Sequence, residues 1–200
     1  MADITGTIKD AQNKIHTNVT APYMAIIGPS KVTIAYDKLL SYGVSALMFN
    51  AGSRFDGAGN TKVYYKNTYL DSQVKQCMAA DFPFALYADV RSKNVIQADA
   101  ECKSLYYVLA EYPPKLGIWL HMCTGTNVKV NDQIIDVYYK YIERWGFKER
   151  CGIYIAKDKL NTFSWSNYQD KFYLLAVDHV KDFKSIDGKL LMPEMFEVPD

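Results

Sequence analysis

From residue 23 onward, short apolar runs alternate with stretches of helical spacing, and this alternation restricts the fold more than any other feature. Residues 23–28, YMAIIG, stop at Gly28-Pro29-Ser30, as a buried strand does before a loop. Residues 34–42, IAYDKLLSY, have helical spacing, with Gly43 as a stop. VSALMFNAG, 44–52, reads as a second strand and 53–63 as a Gly-rich polar loop. A helix over 67–80 follows, with Asn67 as its N-cap. FPFALYADV, 82–90, is a third strand, and Asn94 opens a helix over 95–111 that ends before Pro113-Pro114. LGIWLHM is a fourth strand. Asn131 or Asp132 starts a helix closed by Gly146, and CGIYIA, 151–156, is a fifth strand. Beyond it come an irregular FSWSNY, a strand over 171–180 and a short strand around MFEV.

Five strand–helix repeats with short links predict parallel strands joined by right-handed crossovers. Strands apolar almost throughout fit a sheet covered on both faces. Doubly wound sheets and barrels share this signature. The lack of a Gly-rich phosphate loop after the first strand, and the late strands without helices, favour a barrel. The expected fold class is therefore α/β: an irregular (β/α) barrel of five β/α units followed by strands without full helices. Residues 1–22 precede the alternation and are expected to form an N-terminal extension or docking arm. Residues 23–200 are expected to form a single barrel domain.

A chain of 200 residues is ample for one core. A net charge of +1 supplies no field for nucleic acid or an acidic membrane. The N-terminus lacks an apolar signal segment, and no run approaches the ~18 apolar residues of a membrane span. Synthesis in a bacterial cytoplasm is expected, with any exit by lysis or within a larger particle. The four cysteines (77, 102, 123 and 151) form no CxxC pair and are expected to be buried free thiols.

The order of motifs resembles the lysozyme-type muramidases of glycoside hydrolase family 25, over about Met24 to Val180. IAYDKLLSYGVSALMFNAG, 34–52, is similar to the family's IDWxKVKxxGVxFVIIRAG. YKNTYLDSQVKQCMAADFPFALYADVR, 65–91, echoes KDxxFxxNxxxAKxxGIPVGVYHYAR. ADAECKSLYYVL echoes an EA-containing third helix, GIWLHMC the PVWLDVE strand, and CGIYIA the GIYT strand.

The resemblance implies peptidoglycan hydrolysis by carboxylates. One acid protonates the leaving oxygen and another carboxylate stabilises or attacks the developing cation. The family's strand-one Asp falls on Ile26, and the Asp and Glu of WLDVE fall on His121 and Cys123. None is acidic, and no carboxylate occurs between Ala11 and Asp37. No catalytic residue is therefore assigned, and Asp89 and Asp178 stand as a relocated acid pair to be weighed. His121 and Cys123, two apart on a strand, share a face. Alone they supply no third orienting group for thiol catalysis, and only two of the donors a metal needs. No metal or cofactor is assigned.

Tyr87, Trp119, Tyr154 and Trp165 fall on or near strands and could line a glycan groove or simply pack the core. Tyr106, Tyr107, Tyr138, Tyr139 and Tyr141 lie on helices, where adjacent residues cannot all face one core. They are interface candidates. The reading is a catalytically inactive muramidase-like domain with protein partners, within a bacteriophage virion or tail. The alternatives are a peptidoglycan glycan-binding module and a muramidase with moved acids.

Overall fold

The computed structural model describes residues 5–9, 15–20, 23–31, 33–41, 44–55, 63–123, 127–177 and 195–197. In chain order these form β1 (Thr5–Lys9), β2 (Ile15–Thr20), β3 (Tyr23–Ile27), α1 (Tyr36–Ser41), β4 (Val44–Phe55), β5 (Val63–Lys66) and α2 (Leu70–Ala79). They continue with β6 (Phe84–Val90), α3 (Val95–Glu111), β7 (Ile118–Met122), α4 (Val128–Arg144), β8 (Cys151–Ala156), two 3-10 turns (Lys157–Thr162, Trp165–Asn167), β9 (Tyr173–Val177) and β10 (Met195–Glu197).

The main sheet has the order β10-β3-β4-β6-β7-β8-β9, with β5 on β4. From β3 to β9 its order follows the chain. A doubly wound sheet would reverse at a switch point; an unreversed order is that of a (β/α) barrel wall. The fold is α/β of that type. The fifth strand, β8, is followed by 3-10 turns alone, so the loss of helices begins there.

The chain forms two compact units. One comprises residues 1–49, 68–85 and 179–200. In it, β3 pairs parallel with β4 and antiparallel with β10. Met24 to Ile27 are all buried, as a strand covered on both faces requires. The buried Gln73 of α2 donates to the carbonyls of Gly28 and Ser30 at 3.0 Å each, which ties down the loop after β3. Residues 1–22, expected as an extension, contain the antiparallel pair β1–β2, a hairpin that their polar composition did not announce.

The other unit comprises residues 50–67 and 86–178. Here β6, β7, β8 and β9 pair in parallel. All six residues of β8 are buried. Gly117 turns the chain into β7 at φ +88°, where a Cβ would lie 1.7 Å from the Arg150 carbonyl oxygen. That close approach lets Ile118 N–H donate to the same oxygen at 3.0 Å.

Several local expectations are corrected. The loop expected over 53–63 is partly strand, because β4 runs to Phe55 and pairs with β5. Asn67 does not cap α2; its amide is buried and donates to the Asn50 carbonyl. Helix α4 starts earlier than Asn131, capped by Asn127, whose side chain accepts from Val130 N–H. Asn131 instead donates to the Thr162 carbonyl at 2.6 Å. Asn94 caps α3 as expected, accepting from Gln97 N–H.

Candidate functional site

Parallel register builds the site. On β6 and β7, Tyr87 stands opposite Trp119 and Asp89 opposite His121; on β8, Gly152 and Tyr154 continue the same two rows. Alternation puts Tyr87, Asp89, Trp119, His121 and Tyr154 on one face. At the C-terminal end of this face the Asp89 Oδ1 lies 2.7 Å from His121 Nδ1. Cys123 follows β7, its N–H donating to the Val90 carbonyl at 3.2 Å, which extends the ladder by one rung. Its sulfur lies 3.3 Å from His121 Nδ1 and 3.9 Å from Asp89 Oδ1.

The imidazole is fixed on two sides. Tyr154 stacks on it at 4.4 Å and 23°, and Tyr87 meets it edge-on at 6.0 Å. Arg91 reaches the other carboxylate oxygen, Asp89 Oδ2, at 3.9 Å. Asp89 therefore supplies the third group that the strand-end pair lacks by itself. Three potential donor atoms, from Asp89, His121 and Cys123, lie within 4.8 Å of one another.

Cys123 departs from the expectation of burial, since the residue is exposed, whereas Cys77, Cys102 and Cys151 are buried. Its sulfur is nevertheless turned onto the cluster. Loss of water around it, followed by the Asp89 carboxylate, pushes the thiol up to about 12. At neutral pH it is protonated, so it is not the ionised nucleophile that thiol chemistry uses.

Of the groove candidates, Tyr87, Trp119 and Tyr154 share this face but are buried. The face of Tyr154 is taken by His121, and Trp119 covers Gly152. Trp165 stands apart, edge-on to Phe163. Ile26 is buried in β3, opposite Met48. Asp178 lies outside the described residues.

The interface candidates divide. Tyr106 and Tyr107 are 50% and 74% exposed. Tyr138 is a correction: it is buried, and its hydroxyl donates to Glu101 Oε2 at 2.5 Å. Tyr141 donates to Asp99 at 2.6 Å and Tyr139 packs edge-on to Phe172, so both are half-buried packing residues. Packing of α3 on α4 takes up Tyr138 and Tyr141, which reach Glu101 and Asp99 of α3. Glu101 falls among Ala98, Cys102 and Leu105 on the buried stripe of α3, and that helical spacing is the sequence signal of its burial. It also accepts from Ser92 Oγ at 2.6 Å.

No family model and no curated protein sequence matches the chain. Solved structures do. The modular autolysin LytC from Streptococcus pneumoniae superposes with a TM-score of 0.61 at 12% identity, over 78% of this chain and 39% of that one. The CTP1L endolysin gives 0.63 at 13%, over 78% and 52%. GHIP, a glycosyl hydrolase 25 of Streptococcus pneumoniae, gives 0.57 at 16%, over 77% and 67%. This chain shares their fold. It spans about two fifths of the length of LytC and half that of CTP1L. Among the described residues, no helix is long and apolar enough to cross a membrane.

Proposed function

We propose that this chain is a muramidase-fold domain that does not cleave glycosidic bonds and works through protein contacts. One observation carries the reading. Where the resemblance calls for an acid pair at the end of β7, the chain has His121 and Cys123, and the neighbouring carboxylate, Asp89, is held by His121 at 2.7 Å. Glycosidases need two carboxyl groups about 5–9.5 Å apart across the bond. Glu101 is buried beneath Ser92 and Tyr138, out of reach of a sugar.

LytC is known in complex with a synthetic peptidoglycan ligand, so a glycan-binding role is the natural competitor. Against it, the rings at this face are packed on one another and offer no free platform. In favour of protein contacts, the exposed Tyr106 and Tyr107 adjoin Trp145 and Tyr141 in a continuous run of rings. Such aromatic surface is enriched at interfaces. The phage endolysins among the structural neighbours are compatible with a phage setting, and a place in the particle is part of the proposal. The β1–β2 hairpin serves as the docking arm in this reading, since a two-stranded sheet has two edges and is marginal without further packing.

The test is release of reducing ends from purified peptidoglycan between about pH 4 and pH 8, beside a muramidase control. No release is expected. Release that disappears in Asp89→Asn would overturn the reading. Pelleting with insoluble peptidoglycan in the absence of release would favour the glycan-binding alternative. Removal of residues 1–20 should abolish assembly with a partner while the far-UV signal of the remainder persists; unchanged assembly would sink the docking arm.

A further inference from the structure

We propose that Asp89, His121 and Cys123 form a binding site for a borderline-soft divalent transition metal, zinc above all, with no fourth Asp, Glu, His or Cys donor beside them among the described residues. The inference is independent of the reading above and holds whether or not the domain cleaves glycans.

The geometry separates a chelate from a catalytic relay. In a nucleophile–imidazole–carboxylate relay, one ring nitrogen faces the nucleophile and the other faces the acid. Here both partners face the same atom: Asp89 Oδ1 at 2.7 Å and Cys123 Sγ at 3.3 Å from His121 Nδ1. Sulfur, nitrogen and oxygen thus surround one point rather than forming a chain. Zinc bonds of about 2.0–2.3 Å in a tetrahedron require donors about 3.3–3.6 Å apart. The observed separations are 2.7, 3.3 and 3.9 Å. The two sulfur pairs lie within about 0.3 Å of that range, and the Asp89–His121 pair, now at hydrogen-bond distance, must open by roughly 0.6 Å or a little more.

The donor set fits the metal. With the Cys123 proton released to solvent as the metal binds, a thiolate, an imidazole and a carboxylate suit zinc, whereas an all-oxygen site would suit magnesium or calcium. Three protein ligands and one open position are the arrangement of zinc sites that keep a water or take an external ligand. The ligands are also held in place. Asp89 and His121 are register partners on adjacent strands, and the backbone at Cys123 is pinned to Val90. Tyr154 and Tyr87 set the ring plane. Holding donors on strands, with packed neighbours behind them, is what a preorganised site requires. Arg91 approaches Asp89 through Oδ2, leaving Oδ1 as the atom turned toward the other two donors.

The experiment uses the full chain, stripped with a chelator and then titrated with Zn²⁺ and, separately, Co²⁺. One zinc per chain is expected, with a dissociation constant of about a micromolar or tighter. Cobalt should give a sulfur-to-metal charge-transfer band and tetrahedral visible bands, both removed by added zinc. Cys123→Ser should abolish the charge-transfer band, and Asp89→Asn should weaken zinc binding. Each loss should be on the order of a hundredfold, since even outer-shell partners are worth about 10- to 100-fold. Cys123 is exposed, so its serine variant can be checked for an unchanged far-UV spectrum. In the unmodified protein, zinc should also protect Cys123 from a thiol reagent. Absence of saturable binding, a cobalt spectrum that survives Cys123→Ser, or no protection of the thiol would each overturn the proposal.

Discussion

Replacing Gly152 by alanine probes the packing on which the site face is built. Gly152 lies in β8 opposite Trp119, and a Cβ there would sit 2.3 Å from Cε3 and Cζ3 of that ring and 2.7 Å from Cδ2. Carbon atoms in ordinary contact lie about 3.5–4.0 Å apart, so the indole must retreat by more than about 1 Å. Trp119 is buried, and Tyr87 is its register partner on β6. Overpacking of this kind costs about 1–3 kcal/mol. With a urea slope of about 2 kcal/mol per molar, the midpoint should fall by roughly 0.5 to 1.5 M. Urea denaturation followed by tryptophan fluorescence and circular dichroism measures it. Gly28→Ala is the companion, because a Cβ at Gly28 meets nothing within 4 Å and should change stability by less than about 0.5 kcal/mol. A Gly152→Ala midpoint within about 0.2 M of the parent, well under the slope-derived shift, would mean that Trp119 does not lie over β8.

Two further outcomes follow from single contacts. Gln73→Ala removes the donor shared by the Gly28 and Ser30 carbonyls and should cost about 1–3 kcal/mol by urea denaturation; a cost under about 0.5 kcal/mol would show that the loop after β3 is held by other means. Asp99 is held below the usual carboxylate range by its hydrogen bond from Lys103, then by that from Tyr141. Its stabilisation is therefore present above the unfolded value of about 3.9 and is lost as pH falls through the lower folded value. Urea midpoints below pH ~4 should drop less steeply for Asp99→Asn than for the parent, and parallel curves would refute the linkage.

Between residues 23 and 177 most of the element order was legible, β5 excepted, because apolar runs of strand length and helical spacing are local signals. The run 151–156 and the helix 95–111 with its Asn94 cap match the structure to the residue. Errors arose where a polar residue had two uses. Asn67 and Asn131 read as helix caps, yet both are buried and satisfy distant carbonyls. Polar side chains between periodic segments look alike whether they cap a helix or bridge two segments. Tyr138 and Tyr107 likewise read as equivalent helix tyrosines. The packing of α3 on α4 placed one against Glu101 and left the other in water.

That non-acidic residues, Ile26, His121 and Cys123, stand at the positions where the family resemblance expects acids was readable from the sequence alone, by lining up the motifs along the strands. The pairing of Asp89 with His121 was not. The two residues are 32 apart, and neither strand's own pattern says which residue of the other it will face in the parallel pairing. Two donors spaced for one strand were the sequence's contribution; the third, and with it a cluster able to hold a metal, exists only because the sheet brings a neighbouring strand alongside.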